Sequence, residues 1–216
     1  MWEIRQERIT TIAVVDDEPK SRQSLGWVLT DADLEMAPVE GPLHAVADVF
    51  GTVRDLGDAL ISDHHLRVKS YAQFDGAELV AATIRGGFPA ILCTRYFGAD
   101  IDAIRPFLRY LPVVRRWDEL NEPDEVRSAL DECIGELSGE IRPQRKTWRT
   151  QLVVERAEGD GNIDVSFPFW EIEETVRLRL TDIPPHLAGS MKVGFRVHVM
   201  ANVGAEAPER LFVEWL

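Results

Sequence analysis

Three aspartates, one threonine and one arginine carry the chemistry that this sequence could perform. Asp16 and Asp17 follow a short apolar run, Thr11–Val15, and Asp63 ends another, Ala59–Ser62. Thr94 follows a third run, Ala90–Cys93, and Arg116 follows a fourth, Leu111–Val114. If each run is a strand of one parallel sheet, all five residues meet at the carboxyl edge, where the loops of such sheets converge on ligands. Crowded carboxylates repel, and a bound divalent cation or a raised pKa relieves them. Oxygen ligands without Cys or His favour a hard ion, Mg²⁺, which keeps water and takes a phosphate oxygen. With such an ion in place Asp63 could attack a phosphoryl donor, while a hydroxyl (Thr94) and a cation (Arg116) hold the remaining phosphoryl oxygens.

The elements needed to position these groups are legible up to about residue 140. Short apolar runs alternate with helical stretches, the pattern of βαβ units. Helices are expected at 19–30, 42–50 and 76–85, a weaker one at 102–109 interrupted by Pro106, and a last one opened by Pro123. That last helix carries a stripe of Val126, Leu130, Cys133, Ile134 and Leu137. The weak second strand falls near 34–39. The fold class is therefore α/β, a doubly wound five-stranded parallel sheet.

Residues 141–147, polar with a proline and three basic residues, read as a linker. Beyond it the alternation changes to period two, at 148–154, 163–169, 176–180, 195–199 and 211–215, giving five strands of a small all-β domain, an antiparallel sheet or barrel. The expected domains are 1–140 and 148–216. In the second, Trp148, Trp170, Trp215 and the cluster Phe167–Trp170 either fill a small core or anchor a protein partner.

The chain has 216 residues, and its formal net charge of −13 lies almost wholly in residues 1–140 (14 Lys+Arg against 26 Asp+Glu). An acidic surface argues against nucleic acid, and no helix-turn-helix pattern can be placed after residue 141. Cys93 and Cys133 sit inside regular elements and read as reduced core thiols. The charged N-terminus is no signal peptide, and no apolar run reaches the ~20 residues of a membrane span. A cytoplasmic protein without membrane contact is expected.

Ala13-Val-Val-Asp16-Asp17-Glu18-Pro19 resembles the acidic start of the receiver domain of response regulators in bacterial two-component systems. Ala59-Leu-Ile-Ser-Asp63 is similar to that family's phosphorylation strand, and Asp75-Gly76-Ala77-Glu78-Leu79 to the start of its third helix. The intervals, 31 residues from Asp63 to Thr94 and 22 from Thr94 to Arg116, are close to the family's. The resemblance covers about residues 10–138 and implies a flavodoxin-like fold. It also implies Mg²⁺ held by Asp16, Asp17 and Asp63, a phosphoryl group accepted by Asp63, and Thr94 and Arg116 in contact with it. A histidine kinase or phosphotransfer protein would donate, and a protein partner, in a homodimer or otherwise, would read the output. Such a protein is a phosphoacceptor with slow self-dephosphorylation at most, not an enzyme of turnover.

Departures from the family keep an alternative open, a degenerate pseudo-receiver acting as a phosphorylation-independent interaction module. The usual Lys-Pro is Arg116-Trp117, the usual aromatic three residues earlier is Val113, and His64-His65-Leu66-Arg67 opens a longer loop. Adjacent side chains on an extended segment point to opposite faces, so His64 and His65 read as loop residues and not as a metal pair. A Mg²⁺-dependent phosphatase is disfavoured because His65 stands where an acidic general acid would be expected.

Overall fold

A computed structural model describes residues 2–5, 7–157, 159–170, 172 and 174–216. The chain divides into two compact units: 1–97 with 110–140, and 98–109 with 141–216.

The first unit opens with an antiparallel hairpin, β1 (Trp2–Ile4) and β2 (Glu7–Ile9). Ile4 and Ile9 are buried in the same cluster as Val126, Leu130 and Ile134 of the last helix. The five strands of the sheet follow: β3 (Thr11–Val15), β4 (Glu35–Pro38), β5 (Ala59–Asp63), β6 (Ala90–Cys93) and β7 (Val114–Arg115). All pair in parallel, in the order β4-β3-β5-β6-β7. Strands β3, β5 and β6 read as continuous apolar runs because helices cover both faces, so that Ile12, Val14, Ile61 and Ile91 are fully buried. Those helices are α1 (Pro19–Asp31), α2 (Val46–Leu56) and α3 (Gly76–Arg85), and a long C-terminal helix, Pro123–Leu137. Winding reverses between β3 and β5, the switch point at which doubly wound sheets open a crevice. The doubly wound parallel sheet expected from the sequence is the observed one.

Several boundaries moved for identifiable reasons. The second helix begins at Val46 and not Pro42, because the backbone of Leu43 is engaged elsewhere. Its N–H donates to the Tyr71 carbonyl (2.7 Å), and its carbonyl accepts from the Gln73 N–H (3.0 Å). The long loop after Asp63 is thereby tied down, with Leu66 and Phe74 buried. The fifth strand shrinks to two residues at 114–115, and Pro112, which has no N–H to give a ladder, lies outside it. The two cysteines are free and buried, and the Cys133 thiol and the Ala90 backbone exchange contacts at 3.3 Å.

The second unit holds an antiparallel sheet of β8 (Trp148–Ala157), β9 (Asn162–Ser166), β10 (Val176–Arg179), β11 (Arg196–Ala201) and β12 (Val213–Trp215). The order is β10-β9-β8-β11-β12, with β10 and β12 at the edges, so the sheet form of the expected β domain is the one present. Two short helices complete it, α4 (Ile101–Ile104) and a single turn at Pro185–Ala188.

The segment 98–109, which the alternation of the sequence assigns to the first domain, packs with the second unit. Two arginines, Arg105 half-buried and Arg145 buried, explain the attachment. Arg105 Nη1 donates to the carbonyls of Pro208 (3.0 Å) and Leu211 (2.7 Å). Arg145, inside the stretch read as a linker, donates to the carbonyls of Leu108 and Arg109 (3.0 Å to the latter) and lies 5.2 Å from the Phe212 ring centre. Charge-assisted bonds to backbone carbonyls are worth roughly twice a neutral one, and leaving such guanidinium groups unpaired would be costly. Asn202, almost fully buried, donates to the Gln144 and Arg210 carbonyls and accepts the Phe212 N–H at 2.7 Å.

Of the aromatic residues of the second unit, Phe167 and Trp170 are buried, and the Trp170 indole N–H donates to the Ala205 carbonyl (2.8 Å). Trp215 is partly buried against the same core, whereas Trp148 and Phe169 are exposed. The core-filling reading therefore holds for Phe167 and Trp170, while Trp148 and Phe169 lie at the surface. Among the described residues no helix is long and apolar enough to cross a membrane.

Candidate functional site

The loops after β3, β5, β6 and β7 enclose a cavity of about 210 Å³ lined by Asp16, Asp17, Glu18, Ser21, Asp63, His65, Arg95, Tyr96 and Trp117. Asp16 leaves the end of β3 almost fully buried, 2% exposed. Its Oδ1 accepts the Glu18 N–H (2.6 Å), fixing the turn into α1, and its own carbonyl accepts from Arg22 Nη1 (2.5 Å). Its Oδ2 is buried with no hydrogen-bond partner. Burial, reinforced by the charges of Asp63 and Asp17, pushes the Asp16 carboxyl up to about 7, against the lowering effect of the Glu18 N–H and Arg22.

Asp63 is held from two sides. The His65 N–H donates to Oδ2 (2.9 Å) and the indole N–H of Trp117 to Oδ1 (3.2 Å). Its backbone is fixed by the start of α3. The Gly76 N–H donates to the His64 carbonyl (2.8 Å), and a Cβ on Gly76 would fall 1.7 Å from the Asp63 carbonyl oxygen. No side chain other than hydrogen fits there, a physical reason for glycine in the Asp75-Gly76 pair.

The five residues singled out by sequence separate into two groups. Asp16, Asp17 and Asp63 line one cavity. Thr94 is fully buried at the end of β6, outside that lining. Its N–H donates to the Arg115 carbonyl (2.9 Å), and its hydroxyl accepts the Tyr96 N–H at 3.4 Å. Arg116 is turned outward, its guanidinium forked onto Asp118 (3.0 and 2.8 Å). The Arg116 N–H donates to Glu119 (2.7 Å), which closes the turn that carries Trp117 inward.

The cation in the cavity wall is instead Arg95, next to Thr94, with Nη2 3.0 Å from Ser21 Oγ and 3.6 Å from Glu18 Oε2. Arg95 and Trp117 were the residues that sequence reasoning missed. Arg95 could have been found from its place directly after a strand-ending threonine. The Trp117 position was visible only as a departure from Lys-Pro. His64 is buried, His65 lines the cavity, and their rings lie 5.2 Å apart, closer than opposite faces of an extended segment would place them.

The donor set fits a hard divalent ion: oxygen ligands on Asp16, Asp17 and Asp63, and one buried carboxylate oxygen with nothing bonded to it. A lining of four carboxylates against a single guanidinium is otherwise hard to keep ionised.

No family model matches the sequence, and no curated protein matches it. Among solved structures, the chain is similar to a response regulator receiver domain protein from Clostridium thermocellum (14% identity, 60% of this chain and 97% of that one, TM-score 0.44). It is similar also to the signal receiver domain of an HD domain-containing protein from Pseudomonas fluorescens Pf-5 (18%, 62% and 92%, 0.43). A third is NtrX from Brucella abortus (16%, 63% and 30%, 0.45).

Proposed function

We propose that the first unit is a phosphoacceptor module of a two-component pathway, with Asp63 as the acceptor, and that a protein partner reads its state from the second unit. The observation that supports this reading most is the convergence of Asp16, Asp17 and Asp63 on one cavity together with the unbonded Asp16 Oδ2. In this reading Asp16, Asp17 and Asp63 hold Mg²⁺, which when bound neutralises charge on the group being transferred.

A carboxylate oxygen of Asp63 attacks phosphorus, the P–N bond of a phosphohistidine donor breaks, an acyl phosphate forms, and the imidazole takes up a proton. A histidine kinase or phosphotransfer protein is the donor. Arg95, on the cavity wall, is placed to neutralise phosphoryl oxygens in the role that the sequence assigned to Arg116. Thr94 would need its hydroxyl to turn toward the cavity to contact the group. The two buried free thiols suit a reducing, cytoplasmic setting.

The outward fork of Arg116 onto Asp118 and the indole on Asp63 favour a second reading, an interaction module that never carries a phosphoryl group. Incubation with acetyl phosphate and Mg²⁺ separates the two. Acid-stable, alkali-labile label on Asp63 that vanishes in Asp63→Asn supports the phosphoacceptor. An unlabelled protein whose partner binding ignores Asp63→Asn supports the module.

A further inference from the structure

Trp117 sits where a phosphoryl group on Asp63 would have to go. Its indole N–H donates to Asp63 Oδ1 at 3.2 Å, the ring lines the cavity shared with Asp16 and Asp17, and its other side packs on the main core of the first unit. Oδ2 is already engaged by the His65 N–H. Both acceptor oxygens are therefore occupied by donors. An N–H that binds a carboxylate oxygen removes electron density from the lone pair that must attack phosphorus, and the ring excludes the donor from that side.

The turn that presents Trp117 is built for the purpose from its own exposed charges: Arg116 forks onto Asp118 and Glu119 accepts the Arg116 N–H. Trp117 also borders a second, larger groove of about 570 Å³, with Lys20, Ser24, Arg95, Tyr96 and Arg116 among its lining. That groove is the open space next to the ring once it leaves Asp63.

We propose that Trp117 is a gate on Asp63: a built-in hydrogen-bond donor that holds the acceptor closed and must swing toward the larger groove for phosphoryl transfer to proceed. The proposal rests on the phosphoacceptor reading. It assigns the altered dipeptide Arg116-Trp117 a single role, with the arginine anchoring the turn and the tryptophan closing the site.

The test uses the whole chain with Mg²⁺, acetyl phosphate as donor and beryllofluoride as phosphoryl mimic. Trp117→Phe keeps the apolar packing and removes the donor. Loss of one charge-assisted hydrogen bond in the ground state should speed labelling of Asp63 by about tenfold or more. In the unaltered protein the Trp117 indole proton, identified among the six tryptophans by its loss in Trp117→Phe, should exchange slowly, and much faster once beryllofluoride is bound. Equal labelling rates in the two proteins would overturn the gate and leave the acceptor standing. Absence of label in both, with no response to beryllofluoride, would overturn the acceptor and the gate together. If Trp117→Phe does not fold, the Trp117 indole proton is assigned in the unaltered chain by through-bond NMR, and an exchange rate that beryllofluoride leaves unchanged is enough to reject the gate.

Discussion

Asp16 offers the most quantitative test of the site. Its carboxyl titrates near 7 in the folded chain against an ordinary 3.8, so between those values the folded protein binds a proton that the unfolded chain has released. Stability must therefore fall as pH rises through this window and level off above about 7. The difference of about 3 pKa units, at about 1.4 kcal/mol each, sets a ceiling on the order of 4 kcal/mol. At 2% exposure there is little solvent screening to reduce it. Asp16→Asn keeps an oxygen for the Glu18 N–H and cannot ionise, so the slope across pH 5 to 7.5 should flatten. At pH 8 without Mg²⁺ the variant should equal or exceed the original chain in stability.

Mg²⁺ reverses the comparison, because the ion binds the ionised carboxylate and stabilises only what it binds. A ligand at about 100 times its Kd adds about 2.7 kcal/mol. Urea unfolding at pH 5, 6, 7 and 8, with and without saturating Mg²⁺, reads every term. A stability flat between pH 5 and 8 in the original chain would refute the burial argument. A Mg²⁺ gain that survives in Asp16→Asn would refute the ligand assignment.

Two further outcomes follow from the geometry. Gly76→Ala places a methyl carbon 1.7 Å from the Asp63 carbonyl oxygen and should cost about 3 kcal/mol or more in urea unfolding, or leave no folded protein, since backbone on both sides must shift. Arg116→Ala should not lower Mg²⁺-dependent labelling of Asp63, because its guanidinium serves Asp118, whereas Arg95→Ala should lower it about tenfold or more, as expected for a lost cation on the transferring group. Equal effects of the two substitutions would contradict the placement of both side chains.

The parts of the molecule that sequence made legible share one property: their pattern is set by burial. The runs Thr11–Val15, Ala59–Asp63 and Ala90–Cys93 are buried on both faces, so each reads as a largely apolar string closed or followed by a polar residue, Asp16, Asp63 or Thr94, at the sheet's carboxyl edge. That alone brings Asp16, Asp17 and Asp63 together. The hairpin β1–β2 was not foreseen although Trp2, Ile4 and Ile9 mark it, because three-residue strands carry too few alternations to stand out from charged neighbours. The allegiance of 98–109 was hidden for another reason. It depends on Arg105 and Arg145 reaching backbone carbonyls far along the chain, and an arginine paired in this way leaves no periodic trace.

The direction of side chains on the 115–119 turn shows where pattern reading must stop. Arg116 was placed at the phosphoryl site by its interval from Thr94, and the interval is sound, since β6 and β7 pair in register at Cys93 and Arg115. What the interval does not contain is the competition for the guanidinium. Asp118, two residues on, offers a bidentate carboxylate at 2.8–3.0 Å in the open, and the planar fork of arginine matches it better than a compact ammonium would. With the cation drawn out, the next side chain faces in, and it is an indole with one N–H to place and Asp63 to receive it. In the proposed reading the indole at 117 is a donor that covers Asp63, where the receiver family that the sequence resembles has a lysine-proline pair, and the labelling rate of Trp117→Phe measures how much that donor restrains the site.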